Sequence, residues 1–257
     1  MENRYMLTPY FLHEPVPALA ALAQTGWREN GSPWPVGSVT ERVVPLCECI
    51  ADFVAEVARA GQRPVSIAGD CVSTLGVLAG LQRAGVSATL IWFDAHGDFN
   101  TWETTPSQFV GGMPLAMIVG RGEMTIVRAL GLQPLPESRV WLADARDLDP
   151  GERWALKHSA VHHLQQVEAL LEQPLPDGPL YVHFDCDVLA PDEAPAVHYP
   201  ADGGCTAATL QRVFHRLAGT GRVAAVSLST WAGELDEDGT TQEVVMGVFG
   251  ELLGEKR

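Results

Sequence analysis

The chain of 257 residues is long enough for one large α/β domain, and 46% apolar with 19% charged residues is the composition of a soluble globular enzyme. A formal net charge of -15 argues against nucleic acid or an anionic membrane as partner; it suits a cationic ligand, and equally well plain solubility. No apolar run reaches the roughly 18 residues a membrane helix needs, and the N-terminal MENRYMLTPYF lacks a basic stretch leading into an apolar signal core.

In chain order the pattern predicts a strand over 5–11, a helix over 41–60, a strand over 64–67 and a helix over 73–84. A strand over 88–93, a helix over 124–130, a strand over 139–142 and a helix over 164–171 follow. The series ends with strands over 180–184 and 223–228 that alternate with helices over 207–217 and 241–253. Strands alternating with helices imply a largely parallel sheet covered on both faces, and strand interiors such as TLIWF (89–93) are apolar throughout, as such burial requires. No internal repeat, low-complexity tract or dividing linker interrupts the chain, so residues 1–257 read as one catalytic domain. Functional residues are expected beyond the carboxyl ends of the strands.

Three strand ends are alike. One runs into Gly69, Asp70 and Cys71, another into DAHGD (94–98), and a third into Asp185, Cys186 and Asp187. Alternate residues of an extended segment point the same way, so Asp94, His96 and Asp98 converge, as do Asp185 and Asp187. Four carboxylates crowd together only around a cation. Hard oxygen donors with one imidazole suit Mn²⁺ or a similar ion, and so many donors can hold two.

DAHGD with the following Phe99, Asn100 and Thr101, then HFDCDVLAP (183–191), resemble the two metal motifs of the arginase–agmatinase (ureohydrolase) family. AGDCVS (68–73) resembles its first motif, with Cys71 where the family has histidine. The resemblance runs in the family's order from about Val65 to the last helix. It implies a three-layer α/β/α fold, a parallel sheet of about eight strands and two manganese ions per chain. One metal would be held by Cys71, Asp94, Asp98 and Asp185. The other would be held by His96, Asp94, Asp185 and Asp187, with Asp94 and Asp185 shared.

The resemblance also places the substrate. RDLDPGE (146–152) is similar to the stretch that binds an α-amino group, which assigns that role to Asp149 with Asp147 and Glu152 in support. Asn100 and Ser107 fall at the α-carboxylate positions. Asp149 reads equally as the N-cap of a helix with Pro150 at its first position. The other end departs from the family: Gly111 replaces a proton-shuttling histidine, Thr230 a guanidinium-gripping glutamate, and Tyr199 a threonine. Cysteine at the first metal position without the shuttle histidine resembles one branch of the family. That branch, from D-cycloserine biosynthesis, hydrolyses Nω-hydroxy-L-arginine to L-ornithine and hydroxyurea. An ordinary arginase, a formimino or ureido hydrolase and an inactive binding protein are the competing readings.

Asp98 and His198 are the candidate acid/base groups. His183 is expected to point with Asp185 and support the metal site, Cys186 to face the core, and His162 and His163 to be structural. Trp102, Trp231 and Phe109 are candidates for the pocket wall or for core packing. Cys47, Cys49, Cys71, Cys186 and Cys205 form no CxxC pair, which points to a reducing cytoplasm. The chain stops at Arg257, shortly after the last predicted helix, without the extension through which animal-type arginases assemble trimers. The expected form is therefore a monomer acting on a small-molecule amino acid.

Overall fold

The computed structural model describes residues 1–31 and 36–254. The chain opens with β1 (Asn3–Thr8), β2 (Tyr10–Phe11), β3 (Glu14–Pro15), α1 (Pro17–Ala20) and β4 (Arg28–Glu29). It continues through α2 (Val39–Arg59), β5 (Arg63–Ala68), α3 (Thr74–Arg83), β6 (Thr89–His96), α4 (Pro114–Ile118) and α5 (Thr125–Leu130). There follow β7 (Val140–Asp147), α6 (Pro150–Lys157), β8 (His162–Leu164), α7 (Ala169–Glu172) and β9 (Leu180–Asp185). The last elements are α8 (Ala207–Gly219), β10 (Val223–Ser229) and α9 (Thr240–Leu253).

Eight strands form one sheet in the order β4-β1-β5-β10-β9-β6-β7-β8, every neighbouring pair parallel. Strand pleating divides β6 between two cores. Leu90 and Trp92 join the side chains of α2, α3 and α5, such as Ile50, Leu78 and Ile126. Ile91 and Phe93 join those of α8 and α9, such as Phe214 and Phe249. The result is the expected α/β/α sandwich, whose strands all end on one edge.

Two predicted elements need correction. The strand over 5–11 stops at Thr8, because Pro9 has no N–H for the ladder; Tyr10 and Phe11 pair with Pro15 and Glu14 instead. The helix over 164–171 shrinks to α7. Leu164 belongs to β8, where it pairs with Ala143, so its apolar side chain serves the sheet and is lost to the helical stripe. Residues 255–257 lie outside the described residues. Among the described residues no helix is long and apolar enough to cross a membrane.

The seating of α3 on α2 matters for the site, because α3 follows directly from the turn that carries Cys71. The two helices approach so closely that a Cβ on Gly76 would lie 2.5 Å from the Cys47 carbonyl oxygen. One on Gly80 would lie 2.5 Å from that of Ala51. Gly80→Ala is expected to cost about 1–3 kcal/mol by overpacking, on the order of 2–4 °C of Tm per kcal/mol. Gly219→Ala, where nothing lies within 4 Å, is the control in thermal melts. Equal Tm for the two variants would contradict this packing.

Candidate active site

Three strand ends build the site. After β5, the Asp70 carboxylate accepts the Val72 N–H at 2.9 Å and so caps the short turn holding Cys71. β6 delivers Asp94 and His96. Asp98 follows in the left-handed region at φ +48, its carbonyl held by the N–H groups of Leu115 and Ala116 at 2.9 and 3.1 Å. After β9, Asp185 accepts the Asp187 N–H at 3.0 Å, which turns both carboxylates toward the same space.

Cys71 Sγ lies 2.7 Å from Asp185 Oδ2 and 4.0 Å from Asp94 Oδ2. His96 Nδ1 lies 2.9 Å from Asp187 Oδ2 and 3.4 Å from Asp94 Oδ1. Three overlapping sets, Cys71–Asp94–Asp98, Asp94–His96–Asp187 and Cys71–His183–Asp185, each bring their donor atoms within 4.8 Å of one another. The carboxylates are braced from behind. Trp92 Nε1 donates to Asp94 Oδ2 at 2.9 Å, the Ala95 N–H to Asp187 Oδ1 at 3.0 Å, and the Thr230 hydroxyl to Asp185 Oδ1.

The electrostatics follow from this crowding. Burial, then the Asp187 charge, pushes Asp94 up to about 6. Burial raises Asp98 and Asp185 well above the carboxylate range, with neighbouring carboxylates adding to it. Asp187 is also buried, yet its hydrogen bond to His96 holds it below its ordinary value. Burial opposes charge on His96, but Asp187 and Asp94 together raise it to about 12. Burial and the Asp185 charge push the Cys71 thiol well up. Without a cation the cluster retains protons; a divalent ion can take their place, and the donor set of carboxylates, imidazole and thiol fits such an ion.

A cavity of about 590 Å³ opens over the cluster. Asn100, Ser107, Asp147, Asp149, Glu152, Tyr199 and Thr230 all line it, as do Cys71, Asp94, His96, Asp98, Asp185 and Asp187. Asn100 Nδ2 donates to Asp149 Oδ2 at 2.9 Å, joining the two candidate substrate groups. Asp149 is indeed the N-cap of α6, in a capping box with Glu152. Glu152 also accepts the Phe99 N–H at 2.7 Å, and burial raises it to about 7.

The remaining candidates divide between the cavity and its surroundings. His198 does not line the cavity: its Nε2 lies 3.0 Å from Glu234 Oε1, and its ring packs edge-on against Phe11. The Thr230 hydroxyl, at φ +69, is engaged by Asp185. His183 is wholly buried behind the cluster, with Nε2 3.3 Å from Cys71 Sγ and Nδ1 2.8 Å from Ser227 Oγ. Cys186 faces the core on the α8–α9 side. His163 bonds the Asp144 carbonyl at 2.8 Å and His162 packs on Trp141, both at the sheet edge. Phe109 lines the cavity, whereas the indoles of Trp102 and Trp231 bond to Glu123 and Asp236 away from it. Phe11, Thr105 and Pro106 are lining residues that sequence reasoning missed. The first predicted strand ends at Phe11, but nothing in the local pattern aims that ring at the cavity.

Comparison with known proteins places this geometry. The arginase family model matches residues 30–254. The arginase of Bacillus caldovelox is 31% identical over 223 residues, covering 81% of this chain and 74% of its own. The Nω-hydroxy-L-arginine amidinohydrolase of Streptomyces lavendulae is 27% identical over 249 residues, covering 96% and 84%. The crystal structure of Bacillus subtilis arginase superposes with a TM-score of 0.84 at 26% identity, over 100% of this chain and 99% of that one.

The raised carboxylates give a pH signature. Asp94, Asp98 and Asp185 hold protons more tightly folded than unfolded, so their contribution to metal-free stability is full below the ordinary carboxylate range. It is lost as pH rises through their raised values. His183, lowered to about 3 by burial, works the other way below its ordinary range, against the raised Asp94, Asp98, Asp185, Asp70 and Glu152. The rise in Tm on adding Mn²⁺ should therefore be larger at pH 7.5 than at pH 5.5, read by thermal shift after EDTA treatment. An equal or smaller rise at the higher pH would contradict the crowding.

Proposed function

The chain belongs to the arginase family of hydrolases acting on guanidino C–N bonds, and we propose that its reaction is the hydrolysis of Nω-hydroxy-L-arginine to L-ornithine and hydroxyurea. The observation that carries this reading is the asymmetry of the cavity. One end presents Asn100 bonded to Asp149, a polar pair fit for an α-amino acid. At the other, Gly111 has no side chain to carry a proton and Asp185 engages the Thr230 hydroxyl. An N-hydroxyguanidine is far less basic than a guanidine, so its neutral form is accessible near neutral pH and it needs a gripping carboxylate less than L-arginine does. Similarity to the Streptomyces lavendulae amidinohydrolase across 96% of the chain supports the same choice.

Two manganese ions are proposed, one held by Cys71, Asp94, Asp98 and Asp185, the other by His96, Asp94, Asp185 and Asp187. When bound, such ions lower the pKa of water enough to supply hydroxide near neutral pH. The chain's residues do the rest. Asp149 orients the substrate's α-amino group, with Asp147 beside it, while Asn100 and Ser107 receive the carboxylate. Glu152 fixes this end by accepting the Phe99 and Asp149 N–H groups. Water adds to the guanidine carbon and the bond from that carbon to the ornithine nitrogen breaks, with Asp98 taking a proton from the attacking water and passing it to the departing nitrogen. The five cysteines form no disulfide among the described residues, which fits a reducing cytoplasm.

The arginases' higher identity, 31% for the Bacillus caldovelox enzyme, favours the ordinary arginase reaction as a second reading. A substrate panel with Mn²⁺ separates the two by ornithine release from L-arginine, Nω-hydroxy-L-arginine and agmatine. A kcat/KM preference of at least about 100-fold for the hydroxylated substrate over L-arginine is expected, the scale of one missing transition-state interaction. Agmatine should be poor, and Asp149→Ala should raise KM for both amino acids. Equal use of L-arginine would return the chain to the ordinary reaction. Asp94→Ala and Asp185→Ala should each empty both metal positions in elemental analysis, and full occupancy in either would remove the shared-ligand assignment.

A further inference from the structure

Gly111 is not merely a position without a side chain; the space a side chain needs is filled. A Cβ built on Gly111 would lie 2.2 Å from Phe109 Cε1 and 2.4 Å from Cζ, inside any permissible contact. The Phe109 ring folds back over residue 111 and is held there. It stacks on Phe11, with ring centroids 6.1 Å apart and planes within 7°, and meets Tyr199 at 5.6 Å. The turn before it is fixed too: Gln108 sits at φ +55, and its side-chain amide donates to the Trp102 and Thr105 carbonyls at 3.2 and 3.1 Å. Phe11 is tied from the opposite side, where the Leu12 N–H donates to Asp70 Oδ2 at 2.6 Å. Neighbouring Gly112, which lines the same cavity, has nothing within 4 Å of its Cβ position. Swinging the Phe109 ring aside would break its stack on Phe11 and its tilted contact with Tyr199.

We propose that Phe109 is a specificity-determining residue of this cavity: its ring and a side chain at 111 are mutually exclusive. The cavity carries either an aromatic wall of Phe11, Phe109 and Tyr199 or a polar group reaching in from 111, never both. The exclusion is steric and holds as long as the ring keeps its place against Phe11 and Tyr199. Its consequence for substrate choice rests on the proposed reaction, in which residue 111 borders the guanidine end.

A double-mutant cycle in the manganese-loaded enzyme tests both parts. Gly111→Ala should lower Tm and reduce kcat/KM on the preferred substrate on the order of tenfold, whereas in a Phe109→Ala background it should cost under about twofold. Gly219→Ala, the control outside the cavity, should be near neutral. If Gly111→Ala does not fold alone, recovery of folding in the double variant is the same result, and failure of the double variant overturns the exclusion. Equal costs in the two backgrounds overturn it as well. For specificity, Phe109→Ala with Gly111→His should raise the L-arginine to Nω-hydroxy-L-arginine ratio of kcat/KM at least about tenfold over Phe109→Ala alone. An unchanged ratio removes the specificity role. The Tm cycle is independent of which substrate the enzyme prefers, so it survives or fails separately from the proposed reaction.

Discussion

Four carboxylates and a thiol lie buried at the carboxyl ends of three parallel strands, close enough that they cannot all be charged without a cation. Much of the surrounding structure answers that constraint. The Trp92 indole, the Ala95 amide and the Thr230 hydroxyl each donate to a carboxylate of the cluster. His96 brings a proton to Asp187, and His183 stands against Cys71 on the side away from the cavity. The parallel sheet makes the arrangement possible, since β5, β6 and β9 all deliver their ends to one edge.

Cys71 changes the character of this cluster. A thiolate carries a charge that an imidazole lacks and is the softer donor, so it strengthens the demand for cations and biases their identity. His183 is placed to bond that sulfur and is itself anchored by Ser227, which in turn meets the Tyr181 hydroxyl at 2.7 Å. This buried chain, on β9 and β10, couples Cys71 to the middle of the sheet. At the cavity's far end the same economy of space holds, with Phe109 in the volume beside Gly111.

The acidic motifs were legible because alternation along a strand is a strong geometric signal. DAHGD and HFDCD each close an apolar run, and the structure gathers their carboxylates beside Cys71. Asp149 was legible as N-cap because the Pro150 that follows marks the helix start, whereas its place at the cavity was implied only by the family resemblance of RDLDPGE. What escaped depends on contacts far apart in sequence. No local pattern reveals that Phe11 reaches the cavity, since an Asp70 carboxylate 58 residues on holds its loop. His198 looked suitable by proximity to Tyr199, but Glu234, remote in sequence, holds its ring. The misread helix over 164–171 shows that periodicity cannot distinguish an apolar residue serving a short edge strand from one on a helical stripe.

We propose that the cluster holds two divalent ions with Cys71 as a thiolate ligand. Titration of the metal-free protein with Co²⁺, followed by absorbance, tests it most directly. Saturation at two equivalents, with a near-ultraviolet sulfur-to-cobalt charge-transfer band that disappears in Cys71→Ser, is the expected result. Saturation without that band, in a protein whose Cys71 remains open to alkylation with metal bound, would contradict it.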